Sequence, residues 1–127
     1  MANLSDYLEN LLLTWHLTSN SATRPTAWHV ALGTASSDTG LTGEPSANGY
    51  SRQSVAWSVS AATASNNAQL TFGPCTSAAW GTMSNIAVFD ASVGGNLLWQ
   101  GALVSSRTVD VGDTLTVATS ALTLTLA

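Results

Sequence analysis

Lysine is absent from this 127-residue chain, and its cations are three arginines, Arg24, Arg52 and Arg107, against seven acidic residues. Only 8% of the residues are charged, the formal net charge is −4 and the isoelectric point is near 4.6. Phosphate recognition needs clustered cations, so this distribution argues against a nucleic-acid partner. Cys75 is the single cysteine. It excludes an intrachain disulfide and leaves stability to packing or oligomerisation. The longest apolar run at the N-terminal end, Leu11-Leu12-Leu13, is far below the roughly 20 residues of a membrane span. No lysine or arginine precedes Arg24, so the beginning of the chain does not read as a secretory signal. The expectation is a chain made in the host cytoplasm, with neither membrane nor nucleic acid as partner.

Serine and threonine fill the place of charge, at about a quarter of the residues. Hydroxyl side chains alternating with Val, Leu, Ala and Trp suit pleated strands. They can also be buried against a partner at small desolvation cost, which a lone charge cannot. The composition therefore points to a β-rich building block that packs against other protein copies. A length of 127 residues implies a single domain spanning 1–127.

Residues 3–17 read as an amphipathic helix. Leu4, Leu8, Leu11, Leu12 and Trp15 fall on one stripe, Asn3 is placed to cap the start, and Asp6 and Glu9 suit the positive end of the dipole. The stripe must cover something, either this domain's own sheets or a neighbouring subunit. Leu13 and Leu17, outside the stripe, keep the second option open. From residue 26 to 127 the period becomes two, and an antiparallel β-sandwich or barrel-like fold is expected. Strands are expected at 27–32, 51–60, 68–72, 85–90, 96–104, 114–118 and 121–126. Residues 35–49, rich in turn formers, read as a long loop of the kind that carries function. Gly94-Gly95-Asn96 reads as a hairpin turn requiring positive φ, and Gly49-Tyr50 as a turn that sends an aromatic under the sheet.

Chemistry is sparse. There is no Gly-x-Ser-x-Gly elbow, and His16 and His29 lack carboxylate or cysteine neighbours at ligand spacing. Asp110-Val111-Gly112-Asp113 supplies too few oxygens for a calcium cage and reads as a solvent-facing turn. The five tryptophans read as core or interface rings rather than sugar platforms, with Trp15 and Trp80 the most suited to an interface. The chain is expected to be no enzyme and to hold no cofactor or metal.

Several runs carry a resemblance: the opening Met1-Ala-Asn-Leu-Ser-Asp-Tyr-Leu-Glu-Asn-Leu-Leu-Leu13, then Arg24-Pro-Thr-Ala-Trp-His-Val-Ala-Leu32 and Gly49-Tyr-Ser-Arg-Gln-Ser-Val55. They continue with Trp80-Gly-Thr82, Ala87-Val-Phe-Asp90, Gly94-Gly-Asn-Leu-Leu98, Gly101-Ala-Leu103 and Asp113-Thr-Leu115. The chain resembles a family of small tailed-phage virion proteins, labelled tail-fibre-like, whose stand-alone members resemble capsid decoration (cement) proteins. The resemblance implies a structural protein on the capsid surface, packed on the major capsid protein and on itself as a homotrimer. A tail-fibre or tail-tip module that binds a receptor or acts as adaptor is the alternative. The expected interface residues are Leu13 and Leu17 on the helix, Asp38, Leu41 and Glu44 in the 35–49 segment, and Trp80 with Met83. Arg52 and Arg107 are expected to pair with carboxylates across subunits, where a planar guanidinium serves better than an ammonium.

Overall fold

The computed structural model describes residues 2–126. In chain order the elements are β1 (Ala2–Leu4), α1 (Asp6–Leu17), β2 (His29–Gly33), β3 (Ala35–Ser37), β4 (Gly40–Thr42), β5 (Gln53–Ser54) and β6 (Trp57–Ser60). They continue with β7 (Thr63–Asn66), β8 (Leu70–Phe72), β9 (Gly81–Phe89), β10 (Leu97–Val109), β11 (Leu115–Val117) and β12 (Thr123–Thr125). A five-stranded sheet runs β1-β10-β9-β2-β5, with smaller sheets β12-β7-β6, β11-β8 and β3-β4. All pairings are antiparallel, as the alternating sequence predicts. Among the described residues the sheets do not close into a barrel.

The main core lies between the inner face of the large sheet and the smaller sheets. Val30 and Leu32 of β2 and Ile86 and Val88 of β9 meet Leu70 and Phe72 of β8, Leu115 of β11 and Leu124 of β12. A register shift between Leu97 and Trp99 puts one extra residue into β10. This bulge lets Leu98 and Trp99 both join the main core, while Leu97 turns to the opposite face. There Leu97, Ala31, Ala87 and Phe89 form a second cluster, covered by Leu41 of β4.

Several expectations change at this level. The helix starts at Asp6 instead of residue 3, because Ala2–Leu4 pair with Trp99–Gly101 as a strand. Ser5, not Asn3, caps it: its hydroxyl accepts from Leu8 N–H at 3.1 Å and donates to the carbonyl of Leu97. Residues 35–42 are not loop, since Ala35–Ser37 and Gly40–Thr42 form a hairpin laid over the large sheet, while residues 43–49 are irregular as expected. The single strand read at 51–60 is broken into β5 and β6, and Val59 is left exposed. β7, with its Thr-Ala-Ser-Asn sequence, has no apolar alternation to announce it. Strand β10 runs on through the polar Ser105-Ser106-Arg107 stretch, well beyond residue 104. The Gly94-Gly95 turn takes positive φ at both glycines, and Asp90 closes it by accepting from Asn96 N–H at 2.7 Å and from the Asn96 amide at 2.9 Å.

Candidate interaction surface

Two apolar features lie on opposite sides of α1. At 100° per residue, Leu8, Leu11, Leu12 and Trp15 point toward the sheet, and Asp6, Asn10, Leu13 and Leu17 point away from it. Leu8 is buried, and Leu11 and Leu12 pack partly on the main core. The outward residues Leu13 and Leu17 are 58% and 69% exposed. Trp15 belongs to the inward stripe yet is 65% exposed, because the last turn of the helix overhangs the sheet. Beneath that overhang a groove of about 320 Å³ runs between α1 and the returning segment 22–28, floored by Trp28, Leu98 and Trp99. Arg24 is its one charged lining residue.

A second surface is built on the 35–52 region. Tyr50 follows Gly49, whose φ is +84°, and slides under the sheet as the sequence suggests. Its ring stacks on Phe72 and meets Trp80 edge-on at 5.4 Å. Its hydroxyl accepts from Leu32 N–H at 3.0 Å and donates to Glu44 at 2.8 Å. The Arg52 guanidinium grips the Glu44 carboxylate through Nε and Nη2, both at 2.8 Å. Its Nη1 donates to the carbonyls of Ala91 at 3.1 Å and Gly94 at 2.8 Å, and its Cζ lies over the Phe89 ring, 3.8 Å from the ring centre. Bidentate pairing plus ring stacking is the arrangement a guanidinium can make and an ammonium cannot.

The electrostatics follow from this packing. Burial pushes the Glu44 carboxyl up, but hydrogen bonds from Arg52 and Tyr50 and the charge of Arg52 outweigh it, so the group sits below its ordinary value. Burial, with Glu44 beside it, holds the Tyr50 phenol well above its ordinary range. The Glu44 hydrogen bond raises Arg52 further against the opposing effect of burial.

A third feature is the seam between β10 and β11, a cleft of about 600 Å³. Between Ala102 and Arg107 the register with β9 shifts again, setting four β10 residues against Ser84 alone. The strand bows outward there, and Val104 is fully exposed.

The expected interface residues divide accordingly. Leu13 and Leu17 are exposed together on α1. Asp38 is exposed at the β3-β4 turn, where its carboxylate accepts from Gln100 Nε2 at 2.9 Å and its carbonyl accepts from Asp6 N–H at 3.0 Å. Leu41 packs on the chain's own second cluster. Glu44 pairs with Arg52 within the chain, which corrects the expectation that Arg52 seeks a carboxylate on another subunit. Trp80 is partly buried and donates from Nε1 to the Asn48 carbonyl at 2.9 Å. Met83 is wholly buried in the main core and offers no surface, since position 83 faces inward on β9. Arg107 is exposed and lines the β10-β11 cleft. Sequence reasoning missed the groove: Trp28 and Trp99 are distant in the chain, and no local pattern shows that residues 22–28 return along α1.

A family model described as Podophage GP4 fiber I protein gp80 matches residues 3–125, from the strand before α1 to the last strand. The chain belongs to this family. The tail-fibre-like resemblance carried by its motifs is thereby shown, and the gp80 fibre family is one of structural components of the podophage virion. A search of curated proteins finds no match.

Proposed function

We propose that this chain is a non-enzymatic building block of the podophage tail, a fibre or tail-tip adaptor that works by shape-matched packing. The family match over residues 3–125 carries the reading. The composition supports it: a lysine-free chain with 8% charged residues favours broad contact over ion-guided chemistry. The clamp around Arg52 also favours a scaffold role, because its hydrogen bonds reach Glu44, Ala91 and Gly94 within the chain. Each copy would contribute modest contacts, and an array of copies would add them by multivalency. Gold-labelled antibody against the chain, imaged on purified virions, tests the assignment. Labels on the tail support it. Labels spread over the head would instead make the chain a capsid decoration protein seated on the major capsid protein, and their absence from virions would remove both.

A further inference from the structure

We infer that the chain associates head to tail with a second copy of itself, the outer ridge of α1 seating in the groove of its neighbour. The ridge is Asp6, Asn10, Leu13 and Leu17, one line of side chains along about 16 Å of helix. Its two leucines are more than half exposed, and its acidic end is Asp6. The groove beneath Trp15, with Pro25, Trp28 and Trp99, is apolar and pocket-sized, and its charged lining residue is Arg24. Among the described residues the ion pair found is Arg52–Glu44, and neither Asp6 nor Arg24 has an ionic partner among them. Ridge and groove are thus both apolar and carry charges of opposite sign. A small molecule would need several convergent polar groups to be held, and this groove has one cation. The complement it needs is an apolar rod with an acidic group at one end, which the same chain displays.

Because the two surfaces lie on opposite sides of α1, a two-fold dimer cannot satisfy both. Each copy offers its ridge to one neighbour and its groove to another, so the contact is heterologous and either closes a ring or extends a filament. The inference names the partner in the building-block reading and rests on it, but purified chain in solution tests it apart from any location in the virion.

Sedimentation velocity of the full chain over a wide concentration range is expected to show reversible association. The double variant Leu13→Ser/Leu17→Ser alters exposed positions only, keeps the melting behaviour of the parent and weakens association by at least about tenfold. Asp6→Arg and Arg24→Asp each weaken it, and the two combined in one chain restore it. A chain monomeric throughout, association unchanged by the leucine pair, or a charge swap no better than either single variant overturns the inference. Virion labelling that succeeds while association fails separates the fault in this contact from any fault in the proposed function.

Discussion

Glu44 shows how one carboxylate can organise several segments. It joins Tyr50 beneath the sheet to Arg52, and Arg52 in turn pins the Ala91–Gly94 tip of the β9-β10 hairpin. Removing the carboxylate leaves a mostly buried guanidinium short of its partner. Glu44→Gln is therefore expected to cost about 2 kcal/mol, read from denaturant melts at neutral pH. The pH dependence has a definite sign. The Glu44 group ionises more readily folded than at its ordinary value of 4.5, so its stabilisation is complete above that pH and drains away as pH falls through the lower folded value. Melting temperatures followed from pH 7 toward pH 3 should converge for the parent and Glu44→Gln; curves that stay parallel would contradict the clamp. Gly33 is a second residue whose identity is fixed by contact. A Cβ there would lie 2.6 Å from both Leu41 Cδ1 and the Thr42 carbonyl oxygen. The Thr42 atom is backbone and cannot swing aside, so Gly33→Ala should displace the β3-β4 hairpin and cost about 1–3 kcal/mol in the same melts.

At the scale of elements, α1 is held at its start far more firmly than at its end. Ser5 is wholly buried, caps the helix and bonds to Leu97, while Asp6 N–H reaches the Asp38 carbonyl. Ser5→Ala should lower stability by about 1–2 kcal/mol and reduce helical ellipticity, whereas Leu17→Ala should change neither. How much was legible in the sequence varies with how local the cause is. The helical stripe, the Gly94-Gly95 turn and the alternation in β2 and β9 are local patterns and reveal their elements, although β9 begins at Gly81, before the expected residue 85. The helix start was misread because Leu4 continues the helical spacing, and only the distant pairing with Trp99 makes residues 2–4 a strand. The hairpin at 35–42 is hidden by turn-forming residues whose strands gain their burial from the sheet below. The sequence points Arg52 to a carboxylate on another subunit and Glu44 to an interface, because their eight-residue separation gives no sign that the two meet in the same chain. Met83 and Trp80 illustrate the general difficulty, since a core position and a contact position carry the same apolar signature until the strand's facing is known.

For the whole molecule, stability comes from one main core and a braced outer hairpin, while among the described residues the α1 ridge, the groove beside it and the β10-β11 seam are left uncovered. Natural sheets protect open edges with charge, bulges or partners. Here the bow at Leu103–Ser106 and Arg107 provide the first two, and the leucines of α1 call for the third. Such a molecule is suited to repeated contact in an assembly. A cryo-EM reconstruction of the intact virion is the most direct measurement of that claim. The account predicts several copies of this fold in the tail, touching one another through α1; a virion whose density has no place for the chain, or one in which single copies stand apart with α1 facing solvent, would contradict it.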